Sequence, residues 1–356
     1  MNPSFEIRAI DIKHATTEEY RAANVFNNRM QAERLPDDPP ISLDEQIREY
    51  QNIPSFVDVN AWVVWNTTDS SAVGVGVVVF MLTETNQHIG ELDIQVLPDY
   101  RRQGIARRLL ALTTETAQRA NRRLFIANTN ERIPAGEAFM RRLGAKRGME
   151  THTNQLAIAE LNHELVHEWQ ARAQERASGF ELGFWDGAYP EENIEEIAQL
   201  FRVMNTAPHD DLDIEDFNFT VEQMRERVRT TVARGRELWT MYVREKKTGK
   251  FVGFTEIFLN PSRPEILNQA GTGVLPEYRN YGLGRWLKAA MLDKILRERP
   301  QAKFIRTGNA DSNAPMLKIN HELGFKPYIS QTVWQVEVER AREYVASRQS
   351  SVASIQ

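Results

Sequence analysis

No cysteine occurs among the 356 residues, which excludes disulfides, thiolate metal sites and a cysteine nucleophile together and agrees with a reducing compartment. Long apolar runs are missing too: the longest, residues 75–82, is far too short to span a bilayer. The first ten residues show no charged leader followed by an apolar core, so a cytoplasmic protein is expected. With 44 basic against 49 acidic side chains and a net charge of −5, nothing draws the chain as a whole toward nucleic acid or an anionic membrane, and neither is expected as a partner. No His, Asp and Glu grouping has zinc-like spacing, so no metal is expected. Neither the G-x-x-x-x-G-K-[ST] of a P-loop nor the G-x-G-x-x-G of a dinucleotide fold is found. What remains is an ordinary globular composition, 41% hydrophobic and 26% charged, at a length that suits two domains.

Those two domains show as a repeat. Val96-Leu97-Pro98-Asp99-Tyr100-Arg101-Arg102-Gln103-Gly104-Ile105-Ala106-Arg107-Arg108-Leu109 aligns without gaps to Val274-Leu275-Pro276-Glu277-Tyr278-Arg279-Asn280-Tyr281-Gly282-Leu283-Gly284-Arg285-Trp286-Leu287. The offset, 274 minus 96, is 178, half the chain, and eight of the fourteen positions are identical. Leu143-Gly144 against Leu323-Gly324 and Phe5-Glu6-Ile7 against Phe180-Glu181-Leu182 keep nearly the same offset. A period this long means a duplicated domain, not a solenoid. The reading is an N-terminal domain at 1–161, a linker helix at 162–179 with Leu165, Trp169 and Ala173 at helical spacing, a C-terminal domain at 180–340, and a small polar tail at 341–356, frayed over 347–356. Strands are expected at 62–65, 73–82 and 91–96, and again at 239–244, 251–259 and 272–274. Mixed with helices in this order they give an α/β (α+β) sheet domain, twice.

In both copies a strand ends at Val-Leu-Pro, a short turn carries Tyr-Arg, and a glycine-containing stretch opens a helix. The first amides of a helix lack intrahelical acceptors and the dipole is positive there, so such a loop suits anionic oxygens. Gly282 and Gly284 let a ligand approach the backbone, and Arg279 and Arg285 add charge.

This segment resembles the coenzyme A motif of the GNAT N-acetyltransferase superfamily, Q/R-x-x-G-x-G/A: Arg279-x-x-Gly282-x-Gly284 in full, and Arg101-x-x-Gly104-x-Ala106 in its permitted variant. Asn313-Ala314-Pro315-Met316-Leu317-Lys318-Ile319-Asn320-His321-Glu322-Leu323-Gly324-Phe325 resembles the family's second motif. The resemblance covers the core of both halves, about two thirds of the chain. It implies two tandem GNAT acyl-CoA N-acyltransferase domains, each a mixed, splayed β-sheet flanked by helices. It further implies acetyl-CoA as co-substrate, a small primary amine as acceptor, direct attack in a ternary complex, and a monomer or homodimer. Val274 and Leu275 would meet the pantetheine arm, with the amide near Val274 polarising the thioester carbonyl. Arg279, Asn280, Tyr281, Gly282, Leu283, Gly284 and Arg285 would hold the pyrophosphate. Asn313 would contribute in the C-terminal domain, and Val96, Arg101, Gly104 and Ala106 in the N-terminal one.

The halves differ. Ile133 stands where the second half has Asn313, Ala106 where it has Gly284, and Ala145 where it has Phe325, which marks the N-terminal coenzyme site as the degenerate one. The tyrosine that many family members place four residues before the Gly-Phe glycine is Asn320 here, so Tyr281 and Tyr328 are the alternative acids. Glu256, a carboxylate within an apolar strand, is the first candidate base. Glu91 and Asp93, on one face of their strand, are candidates if the first half is active. The acidic run 210–216 could attract a cationic amine, though such runs more often form solvated loops. The rival functions are a non-catalytic coenzyme A-binding regulator or scaffold, and acyl transfer to a protein amine.

Overall fold

Local sequence sets the first boundaries. The Thr16 hydroxyl accepts the Glu19 N–H while the Glu19 carboxylate accepts the Thr16 N–H, a reciprocal cap that starts a helix. Thr220 and Gln223 repeat the device further on. The computed structural model describes residues 4–353. Its first half runs β1 (Phe5–Ile10), α1 (Thr17–Arg34), α2 (Leu43–Gln51), β2 (Val57–Asn66), β3 (Ala72–Met81), β4 (Ile89–Val96), α3 (Ile105–Arg119), β5 (Leu124–Asn130), α4 (Pro134–Leu143) and β6 (Lys146–Ala157). After α5 (His163–Arg176) the order returns as β7 (Phe180–Asp186), α6 (Ile194–Phe201), α7 (Val221–Ala233), β8 (Glu237–Glu245), β9 (Phe251–Leu259), β10 (Ile266–Val274), α8 (Leu283–Glu298), β11 (Phe304–Ala310), α9 (Ala314–Leu323), β12 (Lys326–Glu337) and α10 (Val338–Ala353). The six expected strands fall on β2, β3, β4, β8, β9 and β10 to within a residue at their C-terminal ends, while β2 and β10 begin five and six residues earlier than expected, and the mixed α/β reading holds.

The compact units are not contiguous in sequence. Unit 1 comprises Met1–Glu150, Asp211–Glu215 and Gln331–Gln356; unit 2 comprises Thr151–Asp210 and Asp216–Ser330. In unit 1, β1, β2, β3 and β4 pair antiparallel and β5 joins parallel to β4. Its sheet is then completed by the far end of β12, from Gln331 opposite Asn130 to Glu337 opposite Leu124. In unit 2, β7, β8, β9 and β10 pair antiparallel and β11 is parallel to β10. There the far end of β6 completes the sheet, from Thr151 opposite Ala310 to Ala157 opposite Phe304. Each unit therefore closes its sheet with a segment from the other half of the sequence.

Helices cover the sheets through apolar faces. In unit 1 an added Cβ on Gly76 of β3 would lie 3.0 Å from Leu109, so α3 rests directly on the strand. Phe26, Val64, Leu97, Leu109, Phe125 and Trp334 fill that unit's core, and Ile257, Leu267, Leu287, Met291, Ile305 and Phe325 fill the other. Most of the span expected as a linker forms α5, whose Val166, Trp169 and Ala173 are buried in unit 2. The expected tail is largely helix instead: Val338 and Ala341 of α10 are buried in unit 1 and Tyr344 meets Phe139 edge-on. An apolar face at helical spacing outweighs the small polar residues, and of this tail only 354–356 lie outside the described residues. Residues 211–215 of the acidic run belong to unit 1, where Asp213 binds Arg123 at 2.8 Å and Glu215 accepts the Asn86 N–H at 2.6 Å.

Candidate active site

β10 and β11 begin as parallel neighbours and then part. Ile266, Leu267 and Asn268 pair with Phe304, Ile305 and Arg306, yet β10 continues to Val274 and β11 to Ala310. On its other edge β10 shifts register against β9 between Gln269 and Thr272, a bulge that adds an unmatched residue and bends the strand away. In unit 1, β4 leaves β5 in the same way once Glu91 has paired with Ile126. Its register against β3, however, is unbroken from Glu91 opposite Val79 to Val96 opposite Gly74. One residue separates the two. From the first parallel pair to the strand end, β10 spans 274 minus 266, or 8, where β4 spans 96 minus 89, or 7.

Leu275 donates its N–H to the Val252 carbonyl at 2.9 Å, so its amide is committed to the neighbouring strand. Main-chain groups alternate between strand edges, which turns the Val274 N–H toward the gap beside β11. Past the turn at Pro276–Tyr278, Asn280 (φ 72°) and Gly282 (φ 81°) are both left-handed. Such alternation gathers successive N–H groups on one concave side. Helix α8 follows at once, its first closing bond running from the Trp286 N–H to the Gly282 carbonyl at 3.0 Å. Leu283, Gly284 and Arg285 thus present helix-start amides. An added Cβ at Gly282 would touch nothing within 4 Å, so glycine is needed there for its backbone angle. At Gly284 it would meet Ile319 at 3.7 Å and Val274 at 4.0 Å, ordinary contacts that agree with Ala106 in the sister loop. Unit 1 repeats the turn with Arg102 (φ 66°) and Gly104 (φ 82°).

Charge distinguishes the loops further. Arg101 and Arg279 each brace the end of their strand, Nε to the Val96 carbonyl at 2.9 Å and to the Val274 carbonyl at 3.1 Å. The rest of the Arg101 guanidinium forks onto both oxygens of Glu33, at 2.7 and 2.5 Å, whereas the rest of the Arg279 guanidinium meets no carboxylate among the described residues and binds the neutral Thr206 hydroxyl at 2.7 Å. Arg101 is neutralised and Arg279 keeps its charge. Arg285, also expected to serve the loop, is paired with Glu322 at 2.9 Å.

Family models match both regions: residues 58–144 that of the acetyltransferase (GNAT) domain and residues 194–325 that of the acetyltransferase (GNAT) family. The chain belongs to the GNAT acetyltransferases. It is therefore a tandem GNAT N-acetyltransferase, of a family that uses acetyl-CoA as co-substrate and acts on small-molecule or protein acceptors. Among solved structures it is similar to the tandem GNAT protein from the clavulanic acid biosynthesis pathway, at 22% identity and TM-score 0.74, over 94% of this chain and 99% of that one. It is also similar to a GCN5-related N-acetyltransferase from Sphaerobacter thermophilus, at 12% identity and TM-score 0.65, over 94% and 96% of the two chains. A fungal glucosamine N-acetyltransferase region of a multi-domain β-N-acetylglucosaminidase matches at 12% identity and TM-score 0.66, over 94% of this chain and 38% of that one. At such identities these likenesses carry the fold alone. No curated protein matches the chain. Among the described residues no helix is long and apolar enough to cross a membrane, and no group of three or more His, Cys, Asp or Glu could hold a metal ion.

The second GNAT motif resolves into helix caps. The Asn313 side chain accepts the Met316 N–H at the start of α9, and Gly324 (φ 97°) closes its end. Ile133 gives α4 no such side-chain cap. Asn320 is fully buried, donates Nδ2 to Asn309 Oδ1 at 2.8 Å, and has no partner for its own Oδ1. Tyr281 is half exposed against Phe180, and Tyr328 lies under the Arg306 guanidinium.

Glu256 is the carboxylate least free to act. It is buried, its oxygens accept from Arg227 at 3.1 and 2.7 Å, and Oε1 also accepts from the Tyr189 hydroxyl at 2.5 Å and Thr240 at 3.3 Å. Sequence reading missed this network because Arg227 comes from α7 and Tyr189 from the loop before α6. Burial and the neighbouring carboxylate hold the Tyr189 phenol well above its usual range. β10 itself carries no carboxylate. In unit 1, by contrast, the protein packed around Asp93 raises its pKa by desolvation despite a 2.6 Å bond from Gln95 and the nearby Arg34 charge. Glu91 is raised by desolvation as well. Lys288 was also missed. It sits inside the core of unit 2 beside Phe325, and desolvation pushes its pKa from 10.5 down to about 7. A lysine at an apolar helix position, 178 residues after Leu110, is a signal the repeat contained.

Proposed function

We propose that the C-terminal half carries the working acetyl-CoA site and transfers the acetyl group to a small primary amine by direct attack in a ternary complex. Within the duplication taken as 1–161 and 180–340 joined by 162–179, the N-terminal coenzyme site is the degenerate one. The observation that carries this reading is the bulge in β10, present beside the Asn280–Gly282 cradle and absent from β4. A bent strand frees main-chain groups along the gap, where the Val274 N–H would polarise the thioester carbonyl. The cradle amides and Arg279 would receive the pyrophosphate. Attack requires a neutral amine. With Glu256 locked by Arg227, the proton leaves through water ordered by the polar group at the bulge, where Thr255 and Thr272 hydroxyls lie 2.7 Å apart and Gln269 donates to both. Thiolate departs without a tyrosine acid, at a cost limited by its low intrinsic pKa. Titration of acetyl-CoA against wild type and Gly284→Glu tests the site, because a Cβ fits there and the carboxylate would enter beside Val274; unchanged affinity refutes it.

One observation favours a second reading, acetylation in the N-terminal half. Glu91 and Asp93, with raised pKa values on β4, supply the general base that β10 lacks. Glu91→Gln and Asp93→Asn decide between the two. Turnover lost by more than tenfold with acetyl-CoA affinity kept would move the chemistry to unit 1.

A further inference from the structure

β11 has two edges. The coenzyme gap lies on the β10 side, and on the other side β6 brings His152 opposite Asn309. There His152 Nδ1 is 2.5 Å from Asp311 Oδ1, just past the end of β11, and His152 Nε2 is 3.1 Å from the Ser330 hydroxyl on β12. All three residues belong to unit 2. In the neutral imidazole, contact with a carboxylate selects the tautomer: a carboxylate oxygen accepts only, so Nδ1 carries the proton and Nε2 holds a lone pair. In that form Nε2 can accept the Ser330 O–H. That is a hydroxyl facing a base which a carboxylate in turn orients, the arrangement that activates a serine nucleophile on unrelated folds. Asp311 is also two residues before the cap of α9, where the helix dipole favours a negative charge. The imidazole and carboxylate are 27% and 43% exposed, so the group is reachable from solvent.

We propose that Ser330, His152 and Asp311 form a second, serine-based acyl-accepting site, separate from the coenzyme gap, whose substrate class is a short-chain acyl ester. In the acylation step the Ser330 Oγ–C bond forms, the ester C–O bond breaks, and the Oγ proton passes to His152 Nε2 and on to the leaving alcohol. Water then attacks the acyl-serine by the same route, releasing the carboxylic acid and restoring Ser330. His152 is the base, and Asp311 is a positioning residue acting through it.

The test uses the full chain with a fluorophosphonate probe, in which the Oγ–P bond forms as P–F breaks and fluoride leaves. Intact-mass and peptide analysis should place one adduct on Ser330 in the folded wild type and none there after denaturation or in Ser330→Ala. His152→Gln should slow labelling at least 100-fold while circular dichroism and acetyl-CoA binding are unchanged. Asp311→Asn should slow it about tenfold, with rescue by Asp311→Glu, which a merely structural aspartate would not show. Hydrolysis of p-nitrophenyl acetate should fall in the same order. A wild-type protein that takes no adduct at Ser330, or a His152→Gln protein labelled at the wild-type rate, overturns the proposal.

Discussion

The two units share a splayed sheet, a left-handed turn and a helix start, and they differ in the details that make such a frame a site. Unit 2 has the bulged strand and an arginine left charged; unit 1 has a regular strand and an arginine neutralised by Glu33. Unit 1 in turn has carboxylates on the splayed strand where unit 2 has amides, hydroxyls and glycines. Duplication fixed the frame, and the copies then diverged at a handful of positions. Anion binding depends on charge and exposed amides more than on fold, so those positions decide function.

The largest expected effect concerns a feature that only unit 2 has. Removing one partner of the buried Arg227–Glu256 pair strands a charge, and Glu256→Gln or Arg227→Met should each cost about 3–5 kcal/mol of stability by denaturant unfolding. Register with the strand ends places Val77 of β3 where β9 has Glu256, and Val77 to Ala changes less. Should Glu256→Gln fold as stably as wild type and lose turnover alone, the pair is not structural.

Next is the loop. Gly284→Glu should weaken acetyl-CoA binding about 100-fold, near 2.7 kcal/mol, while Ala106→Glu in the sister loop changes it less than threefold by calorimetric titration. Equal losses would erase the distinction between the units.

Lys288 provides a pH test. Its folded pKa lies below the unfolded value, so from about pH 7 to 10.5 the unfolded chain binds the extra proton and stability rises with pH. The penalty for burying the charge is complete below about pH 7. Lys288→Leu, which copies Leu110 of unit 1, should stabilise the protein by roughly 2–3 kcal/mol at pH 6 and flatten that rise. A mutant with the wild-type slope would show that another group titrates.

The smallest effect is the most pointed. Glu33→Gln frees the Arg101 guanidinium and should give unit 1 a weak second acetyl-CoA site, at a stability cost under about 1 kcal/mol. A stoichiometry that stays at one would mean that the straight strand, not the neutralised arginine, closes that site.

Much of this was legible in the chain. The repeat located both loops, since Gly282 and Gly104 occupy left-handed positions that few other residues tolerate, and the apolar runs of β3 and β9 announced the sheet. The resemblance implied a splayed, bulged strand, but the position of the bulge was not legible: only pairing with β9 reveals that it falls at Ala270 and Gly271. Glu256 illustrates the same limit, because a carboxylate in an apolar strand signals either a task or a partner, and that partner lies 29 residues away on a helix. The tail failed for the opposite reason, local composition there being overridden by a face that packs elsewhere.

The exchange of closing strands has an evolutionary corollary. A gene cut at the connecting helix would yield two fragments, each lacking the segment that seals its own sheet and each exposing an unpaired strand prone to aggregation. Neither copy can then be discarded on its own, however far its ligand site decays. A half that has lost its coenzyme would persist as an obligate part of its sibling's architecture, open to selection for a new task.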